Sequence, residues 1–220
     1  MKKNNFVAIL ILIISFGTFL RILNINWGID KNQAFTTEYE DEPYGYISAF
    51  RIKPLEGKLD PGNWAMQKGT FYYEIVGTLN DILEKTYIKT LIFSKINTEP
   101  EEFYYNTIFA RSINVLFSIG NMLLIYFFCI LLFDKKIIGI LAAFNYSIFA
   151  HEIAFNNILS GDITLSFFTL GTLYFSVLSH NRNKPEKLWI AALFSGFATA
   201  TKFTGIFTAI PVIVSFFFLY

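Results

Sequence analysis

Ser112 to Phe133 reads SINVLFSIGNMLLIYFFCILLF, twenty-two residues without a charge. A helix rises about 1.5 Å per residue and a span needs about 20 apolar residues, so this run crosses a bilayer on its own. Reading outward from it, further uncharged runs lie on both sides, separated by charges. They give spans at about residues 4–22, 107–133, 137–155, 163–179, 188–201 and 203–220. Ile137–Ala150 and Leu188–Thr201 are uncharged for only fourteen residues each, and are short for crossing alone. They read as buried or re-entrant helices, or as short spans extended by neighbours such as His151, Glu152 and Trp189; short spans are the favoured reading. Lys2-Lys3 precede the first run, and no small-x-small pattern follows it, so it reads as a retained signal anchor. The chain stops inside an apolar run at SFFFLY, which suggests the N-terminal part of a longer protein.

Composition agrees with that frame. Of 220 residues, 54% are hydrophobic, 19% aromatic and 16% charged, where a soluble domain carries about 25% charged residues. The expected class is an all-α membrane protein: a multi-span helical bundle of about six spans, with a long extracytoplasmic first loop carrying surface helices. A net charge of +1 excludes strong attraction to nucleic acid. The single cysteine, Cys129, excludes a disulfide framework and a thiolate metal site.

Lysine and arginine orient the spans. With the N-terminus cytoplasmic, Lys2-Lys3, Lys135-Lys136 and the segment holding Arg182, Lys184 and Lys187 all fall inside. The loop at about 27–106, the turn His151–Asp162, and Lys202 fall outside. Between Trp27 and Asn106 stand thirteen acids and eight bases, so this loop is net negative. Within it Ile47 and Phe50, then Phe71, Ile75, Val76, Leu79, Ile82 and Leu83, recur at helical spacing. Such helices are expected to lie on the membrane surface, apolar face down.

Glu38, Glu40, Asp41 and Glu42 crowd into five positions of that loop. A charge held close to lipid is costly and calls for a reason. Lys68, Glu74, Arg111, His151, Glu152, Asp162 and Lys202 fall on the same side. Structural readings stand beside functional ones. Asp41 can cap the helix that Pro43 begins, and Asp162 the apolar helix after it. Lys68 can snorkel, Arg111 can mark the interface, and His151-Glu152 can cap a short span.

These residues, in this order, resemble the C-type membrane glycosyltransferases of the dolichyl-phosphate-mannose-protein mannosyltransferase and lipid A aminoarabinose transferase group. The first span ends in Arg21 and an Asp41-Glu42 pair follows in the outer loop. QKGTFYYEI (Gln67–Ile75) resembles the group's lysine-and-aromatic stretch, without the proline that often follows the lysine. FARSINVLFSIGNMLLIYFFCILLF (Phe109–Phe133) resembles its second span, HEIAFNNILSGDITLSFF (His151–Phe168) the junction of its third and fourth, and ATATKFTGIFTAIP (Ala198–Pro211) a later lysine-bearing junction.

The resemblance implies inverting transfer of a sugar from a polyprenyl-phosphate donor to a protein, lipid or glycan acceptor at the extracytoplasmic face of the cell membrane. Asp41 is the candidate base, with Glu42 beside it in the catalytic pair. Lys68, Arg111 and Lys202 are the candidates for the carrier phosphate, and His151, Glu152 and Asp162 are supporting polar groups. A lipid phosphate leaves with its charge on cations, so no cofactor is required and no metal is predicted. Three other readings compete, one being an inactive truncated fragment of such a transferase. A transporter or channel predicts charges within the spans, and a metal-dependent oligosaccharide transferase predicts acids converging on one ion.

Overall fold

The computed structural model describes residues 3–86, 98–181 and 184–219. Lys2 and Arg182, two of the bases used to orient the chain, lie outside the described residues. The elements described are helical: α1 (Lys3–Ile22), α2 (Glu42–Arg51), α3 (Asn63–Lys68), α4 (Phe71–Lys85), α5 (Glu99–Phe133), α6 (Lys136–Ile148), α7 (Ala150–Asn156), α8 (Asp162–Asn181), α9 (Lys187–Thr201) and α10 (Ala209–Leu219). Short 3₁₀ turns at Pro54–Glu56 and Phe203–Thr208 join them.

Two of these, α5 and α8, are long and apolar enough to cross a bilayer. A third span results if α6 and α7, bent by 56° at their break, count as one. The other expected spans form shorter apolar helices, Phe6–Ile22, α9 and Phe203–Leu219. The α5 helix begins at Glu99 rather than near residue 107. Glu99, Glu101 and Glu102 occupy its first turn, where carboxylates favour the positive end of the helix dipole. Its 35 residues reach about 52 Å, longer than the roughly 30 Å hydrocarbon layer, so part of the helix extends beyond it. Asp134 ends it in the left-handed region (φ 51°).

Lipid supplies no hydrophobic force between helices, so close approach and polar bonds hold the inner layer together. The central helix α8 packs on α5, α9 and α10, and α1 packs on α5 and α6. A Cβ at Gly171 would enter the ring of Phe194, and one at Gly17 would meet Ser147 and Met122. Arg21 is fully buried at the end of α1. Its Nε donates to Ser118 Oγ (2.6 Å), Nη1 to Gly17 O (2.9 Å) and Ser147 O (3.0 Å), and Nη2 to Tyr146 O (3.2 Å). It therefore locks α1 to α5 and α6.

A second layer, where α2 and α4 meet α5, packs in the manner of a soluble core. Ala49, Ile52, Tyr72, Val76, Ala110, Ile113 and Leu159 are buried together there; each large side chain contributes about 1.5–3 kcal/mol. Both loop helices form as their periodicity predicts, and α4 packs on α2. It turns Tyr72, Tyr73, Val76 and Asn80 into this core and leaves Leu79 and Ile82 exposed. Gly77 sets the choice: a Cβ there would strike the Ala49 carbonyl, so α4 seats its glycine face on α2.

One buried pair joins the layers. Arg111 and Glu42 are each 1% exposed. Arg111 Nε donates to Glu42 Oε1 (2.8 Å) and Nη2 to Oε2 (2.7 Å), while Nη1 reaches Ile25 O (2.8 Å) and Trp27 O (2.7 Å). The Leu159 N–H donates to Glu42 Oε1 (2.7 Å). Thus α5, the α1–α2 connection, α2 and the α7–α8 connection meet at one ion pair. Removing either partner strands a buried charge. Glu42→Ala and Arg111→Ala are each expected to cost about 3–5 kcal/mol, measured by thermal unfolding in detergent. The double replacement Glu42→Gln/Arg111→Met is expected to recover most of that loss.

Candidate active site

Four segments bring charge to one place above the inner layer. Asp41 ends the turn before α2, Lys68 is the last residue of α3, Asp162 the first of α8, and Lys202 follows α9. Lys202 Nζ donates to Asp162 Oδ1 (2.6 Å), and Lys68 Nζ stands 3.7 Å from Asp41 Oδ2. These pairs are 31–48% exposed by side chain, so water and ligands reach them.

Backbone contacts hold the lysines side by side. The Thr70 N–H donates to Ala200 O (3.1 Å), tying the start of α4 to the end of α9. Gly69, at φ 113°, lies so close to Thr201 that a Cβ would overlap its carbonyl oxygen. A glycine follows the lysine here because the two lysine-bearing segments touch at that point.

The pocket between the pairs is lined by Asp41, Lys68, Asp162 and Lys202 together with Tyr39, Trp64, Tyr73, Ser160 and Thr201. It is a small, partly open cleft of about 50 Å³. Burial holds the Tyr73 phenol well above its ordinary range, and the negative Asp162 and Asp41 push the same way. Tyr73 therefore stays protonated, as a hydrogen-bond donor on the pocket wall.

Asp41 occupies the N-cap position of α2 with helical backbone angles, and its carboxylate makes no capping hydrogen bond. The capping reading of Asp41 is set aside. Asp162 likewise turns its Oδ1 to Lys202.

The structure divides the remaining sequence candidates. Glu42 and Arg111 do not line the pocket; the expected catalytic role of the first and phosphate role of the second meet a geometry in which both carboxylate oxygens accept from Arg111 Nε and Nη2, and Nη1 is taken by the Ile25 and Trp27 carbonyls. His151 and Glu152 line a separate groove of about 610 Å³ beside α8 that shares Asp162 with the pocket. There Glu152 Oε2 accepts from the Tyr146 hydroxyl (2.8 Å), which in turn accepts from Asn121 Nδ2 (3.0 Å). His151 packs on the ring of Phe155, 4.4 Å between centroids. Among the described residues, no three His, Cys, Asp or Glu side chains converge as a metal site would need.

Sequence reasoning passed over Trp64 and Tyr73. Both carry a legible signal: Trp64 stands one helical turn before Lys68, and Tyr73 lies within the stretch that Lys68 opens.

A helical membrane bundle with paired lysines and carboxylates at one end of its spans is the setting for chemistry on a lipid phosphate. The family model for dolichyl-phosphate-mannose-protein mannosyltransferase matches residues 104–220, more than half of the chain. The chain belongs to the dolichyl-phosphate-mannose-protein mannosyltransferase family, and is by that membership an integral membrane glycosyltransferase that draws on polyprenyl-phosphate sugars. The match takes in Arg111, His151, Glu152, Asp162 and Lys202; Asp41 and Lys68 precede it. No curated protein and no solved structure gives a match.

The touching backbones at Gly69 generate a prediction. Gly69→Ala adds a methyl group at a positive φ and against a carbonyl. It is expected to cost about 2 kcal/mol or more in thermal unfolding and to weaken binding of a polyprenyl phosphate by separating Lys68 from Lys202. Gly57→Ala, also at positive φ but with open space around it, is expected to leave that binding unchanged.

Proposed function

We propose that this protein transfers a sugar from a polyprenyl phosphate to an acceptor hydroxyl at the extracytoplasmic face of the cell membrane, with inversion at the anomeric carbon. The observation that carries the reading is the meeting of Asp41, Lys68, Asp162 and Lys202, from four separate segments, in one solvent-reached pocket. Such a pocket suits a donor whose chain lies in lipid and whose phosphate stands at headgroup level.

The chemistry follows from those groups. The acceptor oxygen attacks the anomeric carbon as the bond from that carbon to the phosphate oxygen breaks. The acceptor's proton passes to the Asp41 carboxylate as the new bond forms. The departing lipid phosphate gains negative charge, which Lys68 and Lys202 stabilise from both sides of the pocket. Tyr73 donates a hydrogen bond into the same space. Glu42 and Arg111 act by holding Asp41 and the Leu159–Asp162 segment in register. Asp162 keeps the Lys202 ammonium placed.

The test is transfer by the purified protein in lipid nanodiscs, from polyprenyl-phosphate sugars with mannose as the first donor. Asp41→Asn removes the base and keeps the shape. It is expected to lower turnover by about 10²–10⁴-fold while donor binding persists; unchanged turnover would remove Asp41 from this role. Lys68→Ala and Lys202→Ala are expected to weaken donor binding.

A further inference from the structure

The pocket between the two ion pairs is small, about 50 Å³, and on the transfer reading its two lysines take the donor's phosphate. A sugar on that phosphate needs a surface of its own beside the lysines. On the same reading its anomeric carbon faces Asp41, so the surface in question is the one on the Asp41–Lys68 side.

Trp64 forms the wall there. It lines the pocket and is fixed in place by two other rings. Tyr44 stacks on it at 6.0 Å and 23° between planes, and Tyr73 meets it edge-on at 5.8 Å. Tyr44 is 56% exposed, so this aromatic unit reaches from the buried Tyr73 out to solvent. Lys68 links it to the candidate base: its Nζ lies 3.7 Å from Asp41 and 5.8 Å from the centroid of the Trp64 ring.

The electrostatics of that contact identify what belongs on the ring. An aromatic face is negative and attracts positive or positively polarised groups. In this structure the Lys68 ammonium takes that place. When a phosphate draws Lys68 inward, the ring is left for another group of the same polarity. A pyranose has such a surface, a patch of C–H bonds polarised by the neighbouring oxygens.

We propose that Trp64, backed by Tyr44, is the platform on which the sugar of the donor stacks, and thus a substrate-positioning residue on the Asp41 side of the pocket. This rests on the transfer reading. It goes beyond it in assigning the sugar, as distinct from the phosphate, a place on the protein. It also defines the sugar class: a pyranose able to offer a C–H face to an indole.

The test compares two ligands that differ only by the sugar: a mannosyl-phosphoryl polyprenol and the same polyprenyl phosphate without mannose. Binding of each is measured to the wild-type protein, to Trp64→Leu and to Trp64→Phe in nanodiscs. For Trp64→Leu the affinity for the mannosylated ligand is expected to fall about tenfold and that for the bare phosphate to stay within about twofold of wild type. Trp64→Phe, which keeps an aromatic face, is expected to retain most of the sugar-dependent part. Equal weakening of both ligands by Trp64→Leu, or of neither, overturns the proposal and leaves the transfer reading standing. Wild-type protein that binds neither ligand overturns the transfer reading, and this inference with it.

Discussion

A carboxylate and a guanidinium that share almost no surface with water hold this molecule in register. Ion pairs this deep have lost their hydration, and only full mutual hydrogen bonding offsets that loss. Glu42 and Arg111 meet the condition. Two bonds run between them, two more run from Arg111 to carbonyls after α1, and one comes from Leu159 to Glu42. Asp41 precedes Glu42 directly, and Asp162 follows Leu159 by three positions. The same pair that joins the two layers therefore sets where both pocket carboxylates stand.

The layers obey different physics, and the pocket lies at their seam. Below it, helices surrounded by lipid gain little from burying apolar side chains, and they meet through glycines and through Arg21 bonded to carbonyls. Above it, α2 and α4 exclude water from Tyr72, Val76 and Ile52 in the manner of a soluble core. Among the described helices α5 belongs to both, because it is longer than the lipid layer and carries Arg111 at the crossing.

Exposed and buried ion pairs serve different ends here. Pairs in contact with water contribute about 0–1 kcal/mol, so Lys68–Asp41 and Lys202–Asp162 exchange partners easily. A phosphate can draw the lysines from their carboxylates without unfolding anything. Glu42–Arg111 cannot be exchanged in that way, since each member would be left buried and alone. On the proposed reading the deep pair serves architecture and the wet pairs are left for chemistry.

Much of this was legible in order along the chain. The uncharged run Ser112–Phe133 and its companions declare a helical membrane protein, because crossing a bilayer demands length and apolarity that composition exposes directly. The periodicity of Phe71–Leu83 likewise declares α4. The candidate residues for lipid-phosphate chemistry stood out because charge beside lipid needs a reason. What sequence order could not assign was partnership. Glu42 and Asp41 are neighbours of one chemical type, yet one is sealed against Arg111, sixty-nine positions away, and the other opens to a pocket with Lys68. Nor did the apolar stripe of α4 reveal which face would turn inward, a choice set by the fit of Gly77 over Ala49. Span and helix are local properties, written in runs and periods. Which charge neutralises which, and which ring stands over which lysine, depends on how distant segments approach, and only the tertiary fold decides that.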